Sequence, residues 1–231
     1  MDASTRPRST RDRPAKQPLS ESAIVDAALA ITQAEGMDAV TMRRVAAALD
    51  TGAASLYVYF RNRDELVSAM LDRAAAAVPL VTPEPGRWRE QIHALLGSFL
   101  AALETYPGLA AALPAEPPTT ENALAGAENL LGILLAGGIA PQDAAWALDI
   151  LTLIVTATAA EADVRRAAGR TGAGLDEMVD RMRTAFSGLP PERFPLLVAH
   201  AVELTTGEGG DRFGFAVDTF LDGLEARSAR A

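Results

Sequence analysis

Residues 41–63 read TMRRVAAALDTGAASLYVYFRNR, and this stretch decides the fold. Met42, Val45, Ala46 and Leu49 recur at helical spacing and give one apolar face, with Thr41 placed just before them to accept from first-turn amides. Asp50-Thr51-Gly52 then breaks the pattern, because Asp tolerates turn geometry and Gly reaches positive φ without strain. A second helix, Ala53 to about Phe60, puts Ala53, Leu56 and Phe60 on one side; Ala54, Ser55, Val58 and Tyr59 face outward with Tyr57 on the flank. Two helices at a steep angle around a turn of about four residues predict a helix-turn-helix, whose second helix enters the DNA major groove. An ordinary αα-hairpin explains the periodicity but not the exposed aromatics and arginines.

The same stretch resembles the TetR family of bacterial transcriptional regulators. The likeness lies in Thr41-x-Arg43-x-Val45-Ala46-x-x-Leu49, followed by Ser55-Leu56-Tyr57-x-Tyr59-Phe60-x-Asn62-Arg63-x-Glu65-Leu66, and with the preceding helix it covers roughly residues 19–78. It implies that Arg43 contacts phosphate or a base edge, that Tyr57 and Tyr59 reach phosphates, and that Arg63 holds the DNA backbone as a cation. It puts Ala53, Ala54, Ser55 and Val58 where base edges are read. Two alanines and a valine offer only apolar contacts, such as to a thymine methyl, so Ser55, Arg43, Arg44 and DNA shape carry more of the readout. Asp50-Thr51-Gly52 departs from the family's common Gly-Val-Ser turn.

Around the hairpin, Ser20 is placed to cap a first helix over about Leu19–Glu35 that Gly36 ends, and Glu65–Val78 predicts a fourth helix. Pro79, Pro83 and Pro85 then mark a domain boundary, so the expected organisation is an arm over 1–18, a DNA-binding domain over 19–78 and a helical domain over 86–228. The arm holds Arg6, Arg8, Arg11, Arg13 and Lys16 without apolar periodicity. A basic arm tracking the backbone or minor groove and a solvated tail both fit it.

Averaged charge misleads here. Residues 1–73 hold ten of the 21 basic and ten of the 30 acidic residues and sum to zero, so the whole −9 belongs to residues 74–231. A relatively basic segment on an acidic body suits a DNA-binding protein. With no cysteine, disulfides, thiolate zinc sites and thiol nucleophiles are excluded, which suits the cytoplasm, and the N-terminus lacks the apolar core of a signal peptide.

From Trp88 onward every period is helical, so the fold class is all-α: a three-helix helix-turn-helix domain plus a helical ligand-binding and dimerisation domain. Helices are expected over about 87–105, 109–113, 119–137, 142–168, 175–187, 190–205 and 211–227, with 114–118 a linker and 169–174 a loop. The run 150–160 carries no charge, too short for a membrane span of about 20 residues, so no membrane partner is expected and the helix is buried in the core or a dimer interface. The last helix carries Phe213, Val217, Phe220, Leu221 and Leu224 in a seam. With Ile150 and Ile154 these form the expected homodimer interface, as the family resemblance implies; packing on its own domain is the alternative. The closing stretch Asp211-Arg212-Phe213-Gly214-Phe215, followed by Leu221-Asp222-Gly223-Leu224, is similar to the ligand-binding half of the tetracycline repressor.

Catalysis has little to stand on. Lys16 is the only lysine, which excludes a Walker-type loop or Schiff-base chemistry, and neither His93 nor His200 belongs to a metal-ligand spacing. No catalytic residue, metal site or cofactor is expected. A pocket for a small lipophilic effector is expected from His93, Phe99, Tyr106, Trp146, Thr152, Thr156, Met178 and Met182, although each taken singly also reads as core. The reading is a dimeric repressor, not an enzyme, released from a palindromic double-stranded DNA operator by that effector. The alternative is an all-α small-molecule carrier or enzyme that keeps a helix-turn-helix-like hairpin.

Overall fold

The computed structural model describes residues 18–113, 119–170, 175–207 and 209–230, and every regular element among them is helical. Residues 1–17 of the basic arm, the linker 114–118 and the loop residues 171–174 lie outside the described residues.

Four helices build the N-terminal domain: α1 Glu21–Glu35, α2 Met42–Ala48, α3 Ala53–Leu56 and α4 Arg63–Ala75. The starts of α1, α2 and α4 are set by side-chain caps, whereas α3 starts at Gly52 with none. The Ser20 hydroxyl accepts from the Ala23 amide (3.2 Å), Thr41 from Arg44 (3.1 Å) and Asn62 from Glu65 (2.8 Å). Ile24, Ala28, Val45, Leu56, Leu66 and Met70 close one core between them.

Two local expectations change. The residue of positive φ in the hairpin turn is Asp50 (φ 51), not Gly52 (φ −84), so the left-handed step is taken by the residue type that tolerates it after glycine. The second helix is a single turn ending at Leu56, and residues 57–59 continue as turn with the Tyr59 and Phe60 amides both bonded to the Leu56 carbonyl.

The C-terminal domain contains α5 Trp88–Glu104, α6 Glu121–Ala136, α7 Pro141–Arg170, α8 Leu175–Ser187, α9 Pro195–Ala199 and α10 Gly209–Ser228. Helices α5, α6, α7 and α10 share a second core that includes Ile92, Leu96, Ile133, Leu151, Val155 and Leu221. Trp88 lies so close over Gly137 that a Cβ there would sit 2.5 Å from the indole. Helix α10 runs antiparallel to α7, with Arg212 paired to Glu161 (2.9 Å) at one end and Arg227 to Asp143 (3.2 Å) at the other. On its far side Arg89 of α5 pairs with Asp222 (2.6 Å) and Glu225 (2.9 Å) of α10. Each of these pairs has at least one exposed partner, so it fixes register more than it stabilises.

The expected helix over 190–205 is instead α9 and a 3₁₀ turn, Glu203–Thr205. Pro195 excludes the helical conformation from Phe194 (φ −132, ψ 51) and restarts the helix at its own position. The uncharged run 150–160 sits inside α7, of which Pro141–Ala167 is by length and mean hydropathy (1.4) apolar enough to cross a membrane. Its stripe of Ala144, Ala147, Leu151, Val155 and Ala159 is buried inside its own domain.

The two domains meet at a tight joint. Leu109, from the turn after α5, is buried in the N-terminal core. The Met37 amide donates to the Pro107 carbonyl (3.0 Å) and the Gly108 amide to Asp163 of α7 (2.7 Å). Gly108 has φ +86, and a Cβ there would meet the Met37 Cβ at 2.8 Å, so glycine is required twice over.

Candidate nucleic-acid interface

The capped helices α2 and α4 flank the uncapped turn of α3, which carries a small projecting tip. Behind it Leu56 and Phe60 anchor α3 in the core, while Val58 is 81% exposed, Tyr57 53% exposed and Ala54 exposed beside them. Ala53 is half-buried against the core, so of the four residues expected at base edges it faces most inward. Ser55 is half-buried and its hydroxyl accepts from Thr51 (3.3 Å), a partner that brings Thr51 into the reading turn.

The cations divide. Arg43 is exposed and extends from α2 with no ionic partner among the described residues. Arg44 is held by Glu35 at 2.6 Å, so DNA must displace a carboxylate to recruit it. Arg63 was expected to hold the DNA backbone, but its guanidinium donates to the carbonyls of Val40 (2.9 Å) and Met37 (3.2 Å). It ties α4 to the turn that launches α2, and so positions the reader. The hydroxyl of Tyr59, expected at a phosphate, donates in the free chain to the Leu19 carbonyl (2.7 Å), stapling the start of α1 to the end of the reading turn. Glu65 closes the adjacent corner by accepting from the Arg61 amide (2.6 Å), and that backbone hydrogen bond is the largest influence holding its carboxyl below the ordinary value.

The residues expected to line an effector pocket are not gathered into one lining. Tyr106 packs against the N-terminal core, and Trp146 stands 56% exposed on the outer face of α7. His93 faces α10, with its Nε2 2.8 Å from Asp218. Phe99 is half-buried against the C-terminal core. Thr152 and Thr156 donate to the carbonyls of Leu148 (2.8 Å) and Leu153 (3.0 Å) on their own helix, which leaves their oxygens as acceptors only. On α8, Met178 is half-buried and Met182 exposed.

The structure turns part of the expected dimer seam inward. Val217, Leu221 and Leu224 are buried inside their own domain, and Ile154, Phe213 and Phe220 pack against the same core. Of that set Ile150 is the exposed one. Leu153 (58% exposed) stands one turn along from it on the outer face of α7, and Phe215 (73% exposed) stands on the outer face of α10, neither of which the seam pattern picked out. A groove on α10 lined by Phe215, Thr219, Phe220 and Gly223 lies along this face.

A capped helix-turn-helix with a projecting apolar and cationic tip, carried on a separate helical body, defines a DNA-binding regulator of transcription. Residues 24–70 match the bacterial regulatory proteins of the tetR family, and residues 82–228 match the tetracyclin repressor-like C-terminal domain. The chain is 31% identical over 235 residues to the HTH-type transcriptional repressor DrrR1 of Streptomyces coeruleorubidus, covering 96% of this chain and 84% of that one. It is 29% identical to the class G tetracycline repressor protein of Vibrio anguillarum, over 90% of this chain and 94% of that one. Among solved structures, apo ActR from Streptomyces coelicolor superposes with a TM-score of 0.83 at 35% identity, covering 92% of this chain and 98% of ActR. ActR complexes with (S)-DNPA and with actinorhodin superpose at 0.81 and 34% identity, covering 91% of this chain and 99% of ActR. The protein therefore belongs to the TetR family, as a DNA-binding transcriptional repressor that responds to a ligand.

Proposed function

We propose that the protein works in the cytoplasm as a homodimer on a palindromic operator and is released from it by a small lipophilic effector. The observation that carries the DNA half is the exposed tip, Ala54, Tyr57 and Val58, with Arg43 beside it and the Leu56 anchor behind it. Two such tips set about 34–36 Å apart read successive major-groove faces. The outer face of α7 and α10 supports the dimer. Trp146, Ile150, Leu153 and Phe215 are too much apolar surface to leave in water, and two antiparallel helices can face their own symmetry mates as a four-helix bundle. A second copy suits that face better than lipid, because ion pairs from Asp143, Glu161 and Asp163 run along α7.

For the effector, the 34%-identical ActR complexes make (S)-DNPA and actinorhodin the first compounds to try. An effector that favours the DNA-free form must bind more weakly, by the same factor, when DNA is present. Fluorescence anisotropy tests the whole reading at fixed salt, using the DNA upstream of the protein's own gene against a random duplex. Specific, steeply salt-dependent binding at two subunits or a multiple per site supports it. No specific binding there, and none in a random-site selection, removes it. On the selected operator Tyr57→Phe weakens binding on every sequence alike, whereas Ser55→Ala changes sequence preference; equal loss on all operators from Ser55→Ala breaks that division.

A further inference from the structure

The segment joining the two domains is held in a way that a passive linker does not need. Asn129 of α6 grips Val81 at both backbone groups: its Nδ2 donates to the Val81 carbonyl (2.6 Å) and its Oδ1 accepts from the Val81 amide (3.0 Å). One turn along the same helix, Gly132 leaves room for Pro83, whose Cγ would lie 3.2 Å from a Cβ there. Gln91 of α5 grips the next stretch in the same manner, donating to the Thr82 carbonyl (2.8 Å) and accepting from the Glu84 amide (3.0 Å). Gln91 is 6% exposed and, with Thr32, one of two buried polar side chains among the described residues. A carboxamide buried at that cost is retained for what it holds. Behind the gripped stretch, Val78 is buried in the C-terminal core and Pro79 fixes its own φ, so little slack separates Val81 from the end of α4 at Ala75.

Helix α6 is also gripped from α4 directly. The Asp72 carboxylate accepts from the Asn122 amide (2.9 Å), the Asn122 side chain (2.8 Å) and the Ala123 amide (3.4 Å), capping α6 across the domain boundary. Any shift of α6 therefore pulls on α4 at two places, its own Asp72 and the segment that follows it.

We propose that residues 78–84 are a strap through which the position of α6 reaches the DNA-binding domain, with Asn129 and Gln91 as positioning residues that hold it. This rests on the effector reading above, and α6 is the helix whose displacement the strap reports. Asn129 touches neither DNA nor the reading helices. Its loss uncouples the two ligands without abolishing either binding event.

The test uses the full-length protein, an operator selected by the wild type, and (S)-DNPA and actinorhodin as probes. For wild type, Asn129→Ala and the exposed α6 control Leu124→Ala, operator affinity is measured with and without compound, and compound affinity without DNA. The wild-type operator Kd rises at least about 5-fold with compound, the low end of ordinary allosteric coupling. Asn129→Ala brings that ratio towards one while each separate affinity stays within about 3-fold, and Leu124→Ala preserves the ratio. An unchanged ratio in Asn129→Ala overturns the proposal. If neither compound moves the wild type, neither is its effector, and hydrogen exchange then decides the strap. The Val81 and Glu84 amides exchange at least about 10-fold more slowly than the exposed Leu80 amide, and Asn129→Ala speeds the Val81 and α4-terminal Ala76 amides together. Free exchange at Val81 in the wild type, or acceleration confined to Val81 in the variant, removes the strap.

Discussion

The two domains spend their apolar residues differently. In the N-terminal domain, nearly every large apolar side chain of the helix-turn-helix closes on one core, and the exposed remainder is a tip of Tyr57 and Val58. In the C-terminal domain a core of comparable quality closes as well, yet Trp146, Ile150, Leu153 and Phe215 still stand outside it. One domain is complete as a monomer and carries a tool. The other leaves an apolar surface exposed, which in the proposed dimer a second copy of the chain covers.

The largest expected effect strikes that difference directly. Leu153→Arg puts a charge at the middle of the proposed dimer face, where an unpaired buried ion costs several kcal/mol, and converts the protein to monomer at micromolar concentration in sedimentation. Because Leu153 is exposed in the single chain, the monomer's own stability stays within about 0.5 kcal/mol. An unchanged dimer would show that this face is not the interface. Next, Leu56→Ala removes a fully buried anchor and costs the N-terminal domain about 2–5 kcal/mol. Both tryptophans, Trp88 and Trp146, lie in the C-terminal domain, so their fluorescence follows that domain alone. The helical circular dichroism transition in urea moves to lower denaturant, while the fluorescence transition holds. Transitions that move together would mean the two cores melt as one.

Gly108→Ala sharpens the comparison from the joint. Positive φ and the 2.8 Å approach to Met37 combine to cost about 1–3 kcal/mol, and here both transitions shift because the strain falls between the domains. Tyr59→Phe is smaller, about 1 kcal/mol for one lost hydrogen bond to Leu19, with a matching fall in operator affinity on all sequences as the reading turn loosens. The smallest effect is pH-dependent. Burial pushes the Asp72 carboxyl upward, but hydrogen bonds from Thr120, Asn122 and Ala123 outweigh it and hold the group below its ordinary 3.8. A depressed folded value means that its stabilisation is complete above 3.8 and fades as pH falls through the folded value. The stability gap between wild type and Asp72→Asn, followed by urea melts from neutral pH downward, therefore narrows in that acid range. A gap that widens there reverses the sign.

The hairpin was legible in the sequence because its forces are local. Thr41 as a cap, the spacing of Met42, Val45 and Leu56, and the Asp-Thr-Gly break all act within a few residues. What escaped were partnerships over long separations. Nothing near Tyr59 announces Leu19, and nothing near Arg63 announces the carbonyls of Met37 and Val40. The seam on α10 shows the other limit. Periodicity finds an apolar stripe but not which neighbour covers it, and Val217, Leu221 and Leu224 proved to be covered from within. Phe215 and Leu153, one residue or two off the stripe, hold the open side. Asn129 and Gln91 gave no signal, since a carboxamide on a helix reads as surface until its backbone partners are in view.

Val58 leads one step further. Four-fifths of its surface stands in water at the tip of a domain otherwise closed, 81% exposed, with a methyl-bearing neighbour in Ala54. Apolar surface removed from water lowers heat capacity, so pressing that tip against thymine methyls gives operator binding a negative ΔCp that nonspecific phosphate contact lacks. Titration calorimetry at several temperatures would then distinguish a reader seated in the groove from one resting on the backbone, and Val58→Ser would shrink the slope before it changed the affinity by much.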